Sequence, residues 1–378
     1  MKYQICIWMN IPSHHQKYFF EKLATDPDFN LRVVYFNRLR ESRKQDGWQE
    51  PECHNFETIL NDKNKLPEDI SIIVPDWQQR IHILSYCSYP KLATFFSENK
   101  ISWIHWSDRG GIIVLKILMG KLWLYHLALP FYYAFKRKAG QYINKNAIGV
   151  FQTGALTGKY FQAIGIDSVK RENLYYSSTP IQIISPPRIV TEFLQGNHCF
   201  LYVGSINWLK GIRELILAFK RLNSTNWKLI LCGRDHTKGQ AEHMVGQYGL
   251  SKKVLFISPI PYSQLGGIYN IANVLLLPSY FDGWGMTLQE AASCGKALIS
   301  TDNTGAAYEI IEPGINGFRV KAGNVNELSA AMLQYVKDLT LSQRHGEMSK
   351  KLFDLKLSAS ANVLRVKNAL EKWDVKQQ

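Results

Sequence analysis

The chain has 378 residues, 46% of them hydrophobic, enough to bury a core in more than one domain and too apolar for a disordered chain. Its formal net charge of +14 asks for an anionic partner, which a membrane surface, a nucleic acid or a phosphorylated ligand can each supply. Six cysteines (Cys6, Cys53, Cys87, Cys199, Cys232, Cys294) show no Cys-x-x-Cys spacing and no pairing with histidine that would suggest zinc, and they read as buried thiols of a reducing cytoplasm.

The first predicted element is a strand over YQICIWMN, whose apolar run is too short, with one basic residue before it, for a secretory signal. A helix over HQKYFFEKLA, a strand over LRVVYF, a charged loop near Arg38 to Glu50 and strands over SIIVPD and ISWIHW follow. The turn Asp26-Pro27-Asp28 formally holds an Asp-x-Asp metal pair, but a Pro-containing turn is its ordinary explanation, and no metal is expected.

From Arg109 to Ile166 there is no acid, while Arg109, Lys116, Lys121, Lys136, Arg137, Lys138, Lys145 and Lys159 are basic. The segment GIIVLKILMGKLWLYHLALPFYYAFKRK lies inside that window. Its longest uncharged run, Leu122 to Phe135, has 14 residues, short of a membrane span. Lys116 and Lys121 would each cost about 2.5 to 3.5 kcal/mol near a bilayer centre. Two readings stand side by side. In one, a helix lies at a membrane interface through Trp123, Tyr125, Phe131, Tyr132, Tyr133 and Phe135, closed by the basic run Lys136, Arg137 and Lys138. In the other it is a core helix with a solvated basic end. No nucleic-acid-binding signature accompanies the basic residues, so nucleic acid is not an expected partner. A strand over AIGVFQTG closes this block.

The second block repeats the alternation more cleanly: strand CFLYVGS, a helix from Ile212 to Leu222, strand WKLILCG, a helix from Gln240 to Tyr248, strand VLFISP, a helix near Gln264 to Ile271 and strand NVLLLPS. A helix after Gly285, strand KALIST, a short helix at Ala306 to Ile311 and strand GFRV complete it. Strands alternating with helices at this spacing predict an α/β protein with two parallel sheets, one per block, in two Rossmann-like domains. The expected division is a first domain over residues 1–176, a proline-rich linker of little helical period over 177–195, a second domain over 196–358 and a closing helix over 359–378.

In two facing domains of this kind the cleft at the carboxyl ends of the strands is the default site. The stretch PSYFDGWGMTLQEAASCGK lies at such an end. Gly283 and Gly285 let backbone approach a ligand, and the helix that follows offers free amides to a phosphate. Glu290, about one turn inside, can accept two hydrogen bonds from a ribose diol, and Asp282 stands at the loop for a second hydroxylated group. A dehydrogenase would need a Gly-x-Gly-x-x-Gly turn after the first strand of either block, and neither has it.

These motifs, with LYVGSINWLKGIRELILAF, WKLILCGRD, VLFISPIPYSQLGGIYNIANVLLLPS and DGWGMTLQEAASCGKALISTDNTGAAYEIIEPGINGFRV in that order, resemble the family 4 glycosyltransferases of GT-B fold, nearly continuously from Phe200 to Leu333. NIPSHHQKYFFEKLA, SWIHWSD and QTGALTGKYFQAIGI more loosely resemble acceptor-domain pieces of bacterial members. The resemblance implies a metal-independent, retaining transferase with no cofactor, moving a sugar from a nucleoside diphosphate sugar to a glycan or lipid-linked acceptor. It implies work in bacterial surface polysaccharide or lipopolysaccharide synthesis, in the cytoplasm or on the inner membrane face.

The resemblance also assigns roles. Glu290 would bind the ribose, and Asp282, which replaces the family's usual glutamate, would face the donor sugar. The amides of Gly283, Trp284, Gly285 and Met286 would line sugar and diphosphate, and Lys210 would neutralise the diphosphate. Gly204 would approach the donor, but Ser205 stands where the family often has arginine, leaving Arg234 or Arg109 to help. His105 would lie near the reacting centre, or else be a hydrogen-bonded histidine at a strand end; the first domain offers no convincing carboxylate nucleophile, Asp108 coming nearest to one. The alternatives are a non-catalytic anion- or membrane-binding protein and another GT-B enzyme, such as a sugar-nucleotide epimerase or a phosphorylase.

Overall fold

The computed structural model describes residues 3–60, 62–118 and 120–375. Two wholly parallel sheets are present. The first has seven strands, β1 (Tyr3–Met9), β2 (Phe29–Tyr35), β3 (Glu57–Ile59), β4 (Ile81–Leu84), β5 (Trp103–Ser107), β6 (Gly149–Gln152) and β7 (Arg171–Asn173), in the order β3-β2-β1-β4-β5-β6-β7. The second has six, β8 (His198–Val203), β9 (Trp227–Cys232), β10 (Val254–Ile257), β11 (Val274–Leu277), β12 (Ala297–Thr301) and β13 (Gly317–Val320), in the order β10-β9-β8-β11-β12-β13.

The chain order reverses between β1 and β4 in one sheet and between β8 and β11 in the other. Such switch points splay the loops after the strands and open a crevice. Helices cover both faces, which is why VLLL of β11 and ALIST of β12 are buried at every position. The helix Ile212–Leu222 shows the complementary pattern: Ile212, Leu215, Ile216, Phe219 and Leu222 are buried at three- and four-residue steps, while Lys220 and Arg221 stay outside.

Several expectations are corrected. SIIVPD is not a strand: Ile70–Ile73 form one helical turn that buries Ile70 and leaves Ile72 80% exposed, and the strand is β4, a few residues later. Three consecutive aliphatic residues, Ile72 to Val74, carry no period, so they do not separate the two cases. The proline-rich segment contains a helix, Arg188–Leu194, whose Val190 and Leu194, four apart, join the second sheet's core. The terminal helix Ala359–Lys372 returns to the first sheet, burying Val363, Val366, Ala369 and Leu370 with β1 and β2 residues. Of the cysteines, Cys6, Cys199 and Cys232 are buried, but Cys53 and Cys87 are exposed and Cys294 is half-buried. The Asp26-Pro27-Asp28 segment is a turn: Asp26 Oδ1 accepts from the Asp28 amide at 2.9 Å, and Asp28 pairs with Lys367 of the terminal helix.

Candidate active site

A cleft of about 630 Å³ opens where the two switch points face each other. The first sheet contributes Met9, Asn10 and Ile11 at the end of β1; the second contributes Val203, Gly204 and Ser205 at the end of β8 and the loop after β11. Of the residues singled out in the sequence, Lys210, Asp282, Gly283, Trp284, Gly285, Met286, Glu290, Gly204, Ser205, Arg234 and Asp108 all line it.

Local folding explains the centre. Gly285 has φ of 98° and lies so close to Thr304 that a β-carbon would meet its Cγ2 at 2.7 Å, so only glycine fits at this entry to the helix Met286–Ser293. Among the described residues, the amides of Gly283, Trp284, Gly285 and Met286 donate to no other group of the protein. They form an open, partly positive surface at a helix start. The Trp284 ring turns away into the core, where it stacks on Tyr175 at 5.3 Å and donates to Gln289 at 2.9 Å. Trp284 therefore offers backbone, not ring, to the cleft.

Lys210 reaches the same point from the loop after β8. Gly211, with φ of 74°, packs on the Pro278 carbonyl, and the Tyr280 amide donates to Leu209 at 2.9 Å. This docks the two loops side by side, and Lys210 Nζ meets Asp282 Oδ2 at 2.5 Å. Arg109 crosses from the first domain to hold the Asp282 loop: it donates to the Asp282 carbonyl at 3.2 Å and to Asn303 Oδ1 at 2.8 Å, with its guanidinium 4.0 Å from the Phe281 ring centroid.

Glu290 is 2% exposed and accepts one hydrogen bond, from Tyr269 at 2.7 Å. Burial pushes its carboxyl up to about 7, against the opposing pull of that hydrogen bond. Among the described residues no cation offsets it, so the charged form of this carboxyl gains from any ligand donating hydrogen bonds. Asp108 faces the acid loop from the first domain: among the described residues its Oδ1 is buried without a partner, and its Oδ2 would sit 3.4 Å from a β-carbon at Gly283. Burial raises its carboxyl to about 6, the Asp282 charge adds to this, and Tyr176, Thr153 and Arg109 pull the other way.

Two assignments change. His105 does not line the cleft. It is fully buried in β5, accepts from the Tyr86 amide at 3.1 Å, bonds Ser107 Oγ at 3.0 Å and lies beside Phe161; burial holds its ring down to about 3. Its place in the strand aims it into the sheet-helix layer, and the cleft begins beyond Ser107. Arg109 does not line the cleft either, because its guanidinium is engaged by the acid loop. Arg234 does, but it is tied to the opposite domain through Gln45 at 2.7 Å and Asp46 at 3.8 Å.

The cleft also holds residues that sequence reasoning passed over. Arg43 and Trp48 come from the charged loop, with the guanidinium 4.8 Å from the indole centroid. His14 stacks on Tyr262 of the second domain at 4.8 Å, its Nε2 buried and unpartnered, and burial lowers its pKa. His14 had a usable signal, since it follows the first predicted strand. Arg43 and Trp48 had none, because their loop reaches the site only by folding across to the second domain.

Comparison with known proteins decides the class of this domain. The family model described as glycosyl transferases group 1 matches residues 188–352. The second domain is a group 1 glycosyltransferase domain. The capsular polysaccharide biosynthesis glycosyltransferase CapM of Staphylococcus aureus is 26% identical over 224 residues, covering 57% of this chain and 53% of that one. The chain spans about a third to a half of the length of the first curated relatives it matches. Among solved structures, Anabaena HepE in complex with UDP superposes with TM-score 0.74 at 14% identity, over 98% of this chain and 100% of that one. The lipopolysaccharide outer core galactosyltransferase WaaB, in its apo form, does so with TM-score 0.70 at 16% identity, over 97% and 99%. These likenesses show the fold, which is GT-B for the whole chain. The group 1 match includes Lys210, the acid loop and Glu290.

Proposed function

We propose that the protein is a retaining glycosyltransferase that moves a sugar from a nucleoside diphosphate sugar to a hydroxyl of a glycan or lipid-linked acceptor, in the making of a bacterial surface polysaccharide. The observation that carries this is the convergence, within the group 1 domain, of a buried uncompensated carboxylate, a lysine and four open amides around one switch-point cleft. A nucleotide sugar presents matching groups: a diol for Glu290, a diphosphate for Lys210 and the amides, and sugar hydroxyls for Asp282. HepE, of the same fold, was solved with UDP in place.

In the proposed reaction the bond from the anomeric carbon to the diphosphate oxygen breaks as the acceptor oxygen bonds that carbon on the same face. The leaving diphosphate gains charge as the sugar becomes oxocarbenium-like. Lys210 and the amides of Gly283 to Met286 are fixed where that charge develops, which is the costly part of the step. Binding donor draws Lys210 between Asp282 and the phosphates. The acceptor's proton passes to the departing phosphate oxygen, so atoms and charge balance without a protein nucleophile. Asp108 accepts a hydrogen bond from the acceptor hydroxyl and orients it. Because Lys210 and the amides supply the positive charge, no metal ion enters this scheme.

The test is release of nucleoside diphosphate from a panel of UDP- and GDP-sugars by the whole protein. At least one donor should be turned over by wild type, Lys210→Ala should lower that turnover by about a hundredfold, and Glu290→Ala should weaken donor binding at least about tenfold. A wild-type protein that neither turns over nor binds any of the panel overturns the reading in favour of a non-catalytic anion-binding protein. Net conversion to an isomeric nucleotide sugar would instead identify an epimerase.

A further inference from the structure

The helix Leu122–Asn146 carries an unpartnered apolar stripe. Trp123, Leu127, Phe131 and Phe135 are 65%, 63%, 79% and 77% exposed. Steps of four residues advance only about 40° around a helix, so these side chains share one face about 18 Å long. The short helix Ile112–Ile117, packed against it, adds Ile113 at 53% and Ile117 at 70% exposure. Three of the four exposed tryptophans and phenylalanines among the described residues stand on this one helix. Isolated exposed apolar residues are ordinary; a contiguous aromatic face is an interaction site.

The inner side of the same helix pair is engaged at the cleft. Leu115 and Tyr125 pack on Phe281, the residue before Asp282, and Leu209, the residue before Lys210, packs against them with Tyr280. Tyr125, expected at the outer face, belongs to this inner one, and Tyr132 and Tyr133 pack into the first domain. Whatever the outer face rests on is therefore set in a fixed orientation to the cleft.

Charge selects the occupant. Exposed Lys116 and Lys121 stand at one end of the stripe and exposed Arg137 and Lys138 at the other, in a stretch without an acid from Arg109 to Ile166. Aromatic and aliphatic side chains bracketed by cations match acyl chains beneath anionic headgroups. A second copy would set the same positive ends against each other. No described helix is long and apolar enough to cross a membrane, so the match is to a surface rather than a span.

We propose that this face docks the protein on an anionic lipid bilayer. The proposal does not rest on the transferase reading, because vesicle binding needs neither donor nor acceptor. The experiment is co-sedimentation of the full chain at low salt with vesicles of phosphatidylcholine, alone or mixed with phosphatidylglycerol. Wild type should partition onto the anionic vesicles at least about tenfold better than onto the neutral ones. The combined variant Trp123→Ser, Phe131→Ser and Phe135→Ser should lose about tenfold or more while keeping the wild-type melting temperature, since all three side chains are already exposed. Charge reversal of Arg137 and Lys138 should weaken binding at low salt. The proposal is overturned if wild type stays in the supernatant with anionic vesicles, or if the triple variant sediments as wild type does. It is overturned equally if wild type ignores vesicles but forms dimers that the triple variant lacks, which would give the face to a second copy.

Discussion

Glu290→Gln removes a titrating group while keeping its shape, and so separates ligand binding from folding. With its carboxyl raised to about 7, the ligand-free protein holds a proton there at pH 6 in about nine molecules of ten and at pH 8 in about one of ten. A diol that donates hydrogen bonds favours the charged form. Nucleotide-sugar affinity should therefore rise about tenfold from pH 6 to pH 8, or about 1.4 kcal/mol, with proton release on binding. A nucleotide sugar is the right probe because its diphosphate, esterified at both ends, does not titrate in this range, whereas free nucleoside diphosphate does. Stability runs the other way. A carboxyl whose folded pKa lies above the ordinary value of 4.5 contributes stability that is complete below that value and is lost as pH rises through about 7. The loss amounts to at most about 3 kcal/mol. Glu290→Gln should thus melt higher than wild type at pH 8, match it near pH 4.5, and bind nucleotide sugar weakly with a flat pH profile. Calorimetric titration at three pH values, with melting curves on both proteins, measures all of this. A pH-independent wild-type affinity, or the same slope in the Gln variant, refutes the argument.

Three further outcomes follow from the cleft. Lys210→Met should lower kcat by about a hundredfold, with a smaller change in KM, because the lysine meets charge that grows only as the diphosphate leaves; an equal loss confined to KM would make it a binding residue only. Asp108→Asn should remove a limb near pH 6 from the pH dependence of kcat/KM and weaken acceptor saturation, leaving donor affinity at its wild-type value. Asp282→Glu adds a methylene toward the sugar and should shift the ratio of kcat/KM between two donor sugars; an unchanged ratio would leave Asp282 as the partner of Lys210 alone.

The second sheet and its acid loop were legible because every signal agreed there. Strands β8, β9, β11 and β12 are buried on both faces and each carries at least three consecutive apolar residues, and Gly285 marks the strand-to-helix turn whose positive φ requires it. The first sheet was less so. β3 and β7 have three residues each, too few for a period, and β4 is interrupted by His82, whose buried ring accepts from Trp8 Nε1 at 2.9 Å and bonds the Trp77 carbonyl at 2.8 Å. The same ambiguity left two readings of His105 open, of which the hydrogen-bonded histidine is the one found: a histidine in a strand reads alike whether it faces a helix layer or a cleft. Arg109 was recognised as a cation, but its use in holding the Asp282 loop depends on the packing of two domains, which local sequence does not encode.

The claim that the cleft between the two switch points binds a nucleotide sugar through Glu290 is tested most directly by titrating a panel of UDP- and GDP-sugars into wild type and Glu290→Ala at pH 8 in a calorimeter. Saturable binding of at least one donor to wild type, reduced at least about tenfold in the variant, is the predicted result. Equal binding to both proteins, or binding of none of the panel to wild type, would contradict it.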